Sequence, residues 1–204
     1  MSRGSIQQIN PSNPEDIRVW EFALETLAKV QTIYPQAIIA GGLIRDLLTG
    51  RSPKDIDIFI PYPNAEEGLQ ELNDSGLFPN IERTIKGNEK YPIDFLVGNW
   101  ANDILDVQFI FHPVDDAQTI LNRFPALSSR IGYDGREFLQ DKDFRFFLRY
   151  NVNLFYEDCV NFNPDYMNRI RDYYPNCSNY FQDDYLLRED VFNYELRYGA
   201  LRNV

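Results

Sequence analysis

Hydrophobic and polar positions follow two rhythms along this chain, and the sharpest switch between them falls between Ala37 and Pro61. Ala37 to Ala40 is an apolar run of the length of one buried strand, and Gly41 and Gly42 break it. Leu43, Ile44, Leu47 and Leu48 then recur at helical spacing up to Gly50. After a polar turn holding Pro53, the pattern alternates. Asp55, Asp57 and Phe59 share one face and Ile56, Ile58 and Ile60 the other, as in a strand with one buried side.

The same reading extends in both directions. Asn13 can cap a helix that starts at Pro14, with Ile17, Trp20, Leu24, Leu27 and Ala28 as its apolar stripe. Asn64 caps a short helix bearing Leu69 and Leu72 and ended by Gly76. Strands are predicted at Ile81–Lys86, Ile93–Gly98 and Leu105–Phe111. Beyond residue 135, Phe144, Phe147, Leu148 and Leu154 suggest one helical stretch, and Leu186, Leu187, Val191 and Leu196 another. The expected class is α/β (α+β), a small mixed sheet with helices on one side and a short, mainly helical C-terminal part. The expected division is a disordered leader at 1–12, a head domain at 13–135 and a helical region at 136–204.

Composition narrows this reading. The 204 residues are 44% hydrophobic and 15% aromatic, enough for a full core. No apolar run is long enough to span a bilayer and no signal pattern stands at the start, so a cytoplasmic location is expected. Cys159 and Cys177 make neither a disulfide framework nor a zinc site, and two reduced thiols are the expected state. The net charge is −11, with 11 basic and 19 acidic residues in 1–135 and 9 and 12 in 136–204. Neither part has the basic excess of a protein that grips a nucleic-acid backbone through many phosphates, although a local basic groove is compatible with it.

The chemistry sits on the polar face of the alternating strand. Two carboxylates at i and i+2 point the same way, and charges that close call for a cation between them. A hard divalent ion, Mg²⁺ above all or Mn²⁺, suits such oxygen ligands. Gly41 and Gly42 let backbone approach a phosphate, with Arg45 one turn further on to reach the same anion. The blander alternatives are a glycine pair that merely opens a helix and an acidic strand edge facing solvent.

The segment GGLIRDLLTGRSPKDIDIFIP closely resembles the head motif of the polymerase β-like nucleotidyltransferases, in the form carried by bacterial CCA-adding enzymes and poly(A) polymerases. The resemblance implies that fold for the head domain and an enzyme that transfers a nucleoside monophosphate from an NTP to an acceptor hydroxyl. It implies Asp55 and Asp57 as metal-holding catalytic carboxylates, with a third from a later strand. Asp106 is the preferred third and Asp94 the alternative. Gly41, Gly42 and Arg45 would meet the triphosphate, Arg45 alternatively serving as an internal partner of Asp46 or of the Asp pair. Residues 116–135 resemble the family's second motif at Arg123, Tyr133 and Asp134, and Arg123 is the expected nucleotide contact there. The motif's Asp, Phe, Thr and Asn positions hold Pro125, Ala126, Leu127 and Ser129. The only histidine, His112, is not the base such a resemblance implies, because that family uses carboxylates and metal.

NTP is therefore the expected partner, and the acceptor stays open between an RNA end, a protein and a small molecule. The alternative reading is a non-catalytic protein of the same fold that acts as a binding module. The eroded second motif motivates it and the intact Asp pair opposes it.

Overall fold

The computed structural model describes residues 9, 11, 13–88, 91–114, 116–156 and 164–181, with backbone alone at 85–88, 91–96, 145–146 and 164. Helix α1 (Pro14–Gln31) is capped by Asn13, whose side chain accepts from the Glu15 N–H. Strand β1 (Ile38–Ala40) leads through Gly41 into helix α2 (Gly42–Leu48), and β2 (Ile56–Pro61) follows. Next come α3 (Ala65–Asp74), capped by Asn64, and strands β3 (Glu82–Asn88), β4 (Tyr91–Trp100) and β5 (Val107–His112). Helix α4 (Ala117–Asn122), a 3₁₀ turn at Leu127–Ser129, β6 (Ile131–Tyr133) and β7 (Phe138–Gln140) complete the sheet. Helix α5 (Phe144–Tyr150), β8 (Val152–Phe155), α6 (Pro164–Tyr173) and β9 (Ser178–Phe181) end the described chain.

The strand order is β3-β4-β5-β2-β1-β6-β7. All neighbours are antiparallel except β2 and β5, which run parallel with Asp57 opposite Gln108. The sheet therefore continues past Gly135 into β7. Strands β8 and β9 form a separate parallel pair, so the described C-terminal part alternates helix and strand. The helix expected around Leu186–Leu196 lies outside the described residues.

The alternation in β2 works as its pattern predicts. Ile56, Ile58 and Ile60 are fully buried in the main core with Leu27, Val30, Leu43 and Ile44. Burying each such side chain contributes about 1.5–3 kcal/mol. The opposite face carries a smaller core of Ile38, Ala40, Phe59, Val97, Ile110, Ile120 and Leu121, where α4 packs.

Of the apolar stripe expected on α1, Leu27 alone is among the buried positions. The stripe expected on α1 was Ile17, Trp20, Leu24, Leu27 and Ala28, but the buried positions are Asp16, Val19, Ala23, Thr26, Leu27 and Val30. Ile17 is 39% exposed. Helix α1 has apolar residues on more than one side. The sheet takes the face of small and β-branched residues, and Trp20 is left to pack on Tyr133 and Phe138 at the sheet's edge.

Candidate functional site

The Gly41 turn is built before any side chain acts. Gly41 has φ 82° and ψ −125°, a backbone region essentially reserved for glycine, and its N–H donates to the Ile131 carbonyl across the sheet. Gly42 differs. It is helical, and a methyl group there would meet only the Arg45 Nη2 at an ordinary 3.6 Å. The conformational demand therefore lies on Gly41.

Both glycines open onto a cavity of about 340 Å³. Strand β2 projects Asp57 and Phe59 into it, with Lys54 and Asp55 just before the strand. Strands β4 and β5 add Val97, Gln108, Ile110 and His112, and α4 and the turn after it add Ile120, Arg123, Phe124 and Pro125. The remaining wall is α6, through Tyr166, Arg169, Ile170 and Tyr173.

Asp55 and Asp57 thus share the cavity with Gly41, Gly42, Arg45 and Arg123, the residues the head motif and second motif singled out. Asp106 does not join them. It stands just ahead of β5, exposed, with its carbonyl accepting from the Ile56 N–H. The predicted strand began at Leu105, two residues early. The parallel register sets Gln108, an amide, against Asp57. No cluster of three or more His, Cys, Asp or Glu suited to a metal occurs among the described residues, so the three-carboxylate centre expected with Asp106 is not assembled there. Asp94 lies in β4, and its side chain falls outside the described residues.

Arg45 is buried and bonded inward. Its Nε reaches Asp46 Oδ1 at 2.9 Å, and its Nη1 donates to the Ser129 Oγ at 3.2 Å. The Tyr174 hydroxyl donates to the same Asp46 oxygen at 2.8 Å, and the Ser129 Oγ lies 2.7 Å from the Tyr166 hydroxyl. Burial opposes the charge on Arg45, and Asp46 more than offsets it, holding the guanidinium ionised. Burial, the larger cause, and Asp46 keep the Tyr174 phenol protonated. Of the two roles open to Arg45, the partnership with Asp46 is formed while the residue still lines the cavity.

Arg123 approaches His112, with Nη1 2.9 Å from Nδ1. A guanidinium only donates, so Nδ1 accepts and the imidazole proton sits on Nε2. Burial, with Arg123 beside it, lowers His112 to about 4, which leaves it neutral at physiological pH. Arg130 holds this turn in place. Its Nε donates to the Phe124 carbonyl at 2.8 Å, its Nη2 to the Asn122 carbonyl at 3.0 Å, and its Nη1 pairs with Asp141 at 3.2 Å. Burial pushes the Cys177 thiol up to about 12, in keeping with an inert reduced cysteine, and Cys159 lies outside the described residues.

The α6 wall escaped the sequence reading. Its signal is there: Tyr166, Arg169, Ile170 and Tyr173 stand at i, i+3, i+4 and i+7, one helix face. Against a background rich in aromatics they read as ordinary core. Gln108 was missed because an amide on a strand carries no pattern of its own.

No family model and no curated protein sequence matches the chain. Solved structures do. A CCA-adding enzyme in an apo form is similar over 93% of this chain and 48% of its own, with 16% identity and a TM-score of 0.56. The Thermotoga maritima CCA-adding enzyme complexed with tRNA is similar over 71% of this chain and 33% of its own, with 16% identity and a TM-score of 0.51. A CCA-adding enzyme with ATP matches over 67% and 33%, with 17% identity and a TM-score of 0.50. The chain has the polymerase β-like nucleotidyltransferase fold of these enzymes and spans between a third and a half of their length.

Proposed function

We propose that this protein is a nucleotidyltransferase that moves a nucleoside monophosphate from an NTP to an acceptor hydroxyl. The observation that supports this best is the convergence of the Gly41 turn, Asp55, Asp57 and Arg123 on one cavity. Two carboxylates with an amide oxygen from Gln108 beside them are hard donors of the kind that hold Mg²⁺ or Mn²⁺ jointly with substrate phosphates. When bound, such an ion would supply charge neutralisation at the triphosphate and lower the pKa of the attacking hydroxyl.

The chain's own residues do the rest. Backbone at Gly41 and Gly42 accommodates a phosphate without a side chain in the way. Arg45, fixed by Asp46, and Arg123, fixed by His112, present guanidinium charge toward it. The apolar side chains of Phe59, Val97 and Ile110 limit water in the floor of the cavity.

The second reading is a binding module of the same fold. It rests on a specific observation, that Gln108 rather than a carboxylate faces Asp57. The two are separated by giving the purified protein each α-labelled NTP with Mg²⁺ or Mn²⁺ and a cell lysate. Transfer of label that is lost in the Asp55→Ala, Asp57→Ala double variant supports the enzyme. NTP binding without any transfer supports the module.

A further inference from the structure

Tyr166 near the start of α6 and Tyr173 at its end line the cavity, Tyr174 follows just beyond the helix, and the three hydroxyl groups are not equivalent. The Tyr166 hydroxyl is engaged with Ser129 at 2.7 Å. The Tyr174 hydroxyl is engaged with Asp46 at 2.8 Å. Tyr173 lines the cavity partly buried, and its hydroxyl makes no hydrogen bond among the described residues.

Cations gather on the Tyr173 ring. Arg51 lies 4.6 Å from its centroid, Lys54 5.2 Å and Arg45 5.5 Å. Arg45 is paired with Asp46, but neither Arg51 nor Lys54 forms an ion pair among the described residues. A chain with net charge −11 thus keeps two cations outside those ion pairs at the Tyr173 ring, Lys54 in the cavity wall and Arg51 against the ring that lines it. Lys54 is also the residue immediately before Asp55, so this cation adjoins the carboxylate pair. A polyphosphate drawn by the cations would share the cavity with the carboxylates and the phenol, and cations this near the ring would favour negative charge developing on the phenol.

We propose that Tyr173 is itself an acceptor: the protein transfers a nucleoside monophosphate to its own Tyr173, so its acceptor class is a protein phenol. This rests on the transferase reading and names its acceptor. The phenolic oxygen forms a bond to the α-phosphorus of the NTP. The bond from that phosphorus to the oxygen bridging to the β-phosphate breaks, and pyrophosphate leaves with the electron pair. The phenolic proton passes to solvent by way of a cavity carboxylate. No oxidant, reductant or further reactant is needed.

The test is incubation of the purified full chain alone with each NTP and Mg²⁺, read by intact mass and peptide mapping. Parallel measurements follow NTP binding and pyrophosphate release. The expected result is a mass gain of one nucleoside monophosphate, mapped to Tyr173. The gain should be absent in Tyr173→Phe and retained in Tyr180→Phe, both variants melting like the parent. An adduct mapped elsewhere, or one that persists in Tyr173→Phe, overturns the proposal. NTP binding with pyrophosphate release only when lysate or RNA is added also overturns it while leaving the transferase reading intact. Absence of NTP binding removes both.

Discussion

Gly41, Asp46 and His112 show how single residues hold this site. At φ 82° Gly41 adopts backbone that a side chain strains by about 1–3 kcal/mol. Gly41→Ala should therefore lower stability by that amount and weaken NTP binding, whereas Gly42→Ala should leave stability nearly unchanged. Urea denaturation of the pair checks the ranking, and equal losses would refute it. Asp46 neutralises a buried guanidinium. Asp46→Ala leaves Arg45 uncompensated and should cost about 3–5 kcal/mol, while Tyr174→Phe removes one hydrogen bond to a charged group and should cost about 1.5–3 kcal/mol. An Asp46→Ala protein as stable as the parent would show that Arg45 is not buried as described. His112 acts through pH. Its folded value of about 4 lies below the ordinary 6.5, so between those values the unfolded chain carries the proton and the native state does not. Stability present above pH 6.5 should fall as pH drops toward 4, by roughly 3 kcal/mol from this group. Because there is only one histidine, its ring resonances can be followed by NMR without overlap. A midpoint near 6.5 in the folded protein would contradict the buried, Arg123-bonded imidazole.

At the scale of elements, what was legible depended on how much of the pattern was local. The segment β1–α2–β2 could be read because three local signals agree: a buried run, a glycine break and strict alternation. The caps at Asn13 and Asn64 were legible for the same reason, each being a side chain bonded to its own helix. The buried face of α1 was not, since several of its sides are apolar and only the sheet decides between them. The start of β5 was misplaced because Leu105 and Asp106 continue the apolar–polar pattern of the strand. Pairing with β2 is long-range and begins at Val107. Asp106 stands ahead of that pairing, and Gln108 is the residue set against Asp57. Helix α6 joins the site only through tertiary contacts, Tyr174 to Asp46 being 128 residues apart in sequence. Periodicity can mark such a helix but cannot say what it covers.

At the scale of the whole molecule, charge and the second motif decide which acceptor fits. An enzyme that rebuilds CCA on tRNA must hold the acceptor arm of a large polyanion, which calls for Lys and Arg in excess, and here acidic residues lead both in 1–135 and in 136–204. The fold shared with CCA-adding enzymes does not supply that grip. The second motif, which in the resembled family helps hold the nucleotide sugar, is altered in kind. Ala126 and Leu127 are fully buried in the main core and offer no polar group to a ligand. Ser129, in the motif's Asn position, is bonded between Arg45 and Tyr166. The cations that line the cavity with the Asp pair, Arg45, Lys54, Arg123 and Arg169, are few, enough for a triphosphate and not for an extended backbone. We therefore expect purified protein, given tRNA lacking its 3′ end together with CTP and ATP, to leave that tRNA without a restored CCA. We also expect weak tRNA binding with a shallow salt dependence, a loss of only some tens of fold between about 50 and 200 mM salt, as roughly three phosphate contacts give. Ordered addition of C, C and A by the wild-type chain would overturn this and make an RNA end the acceptor after all.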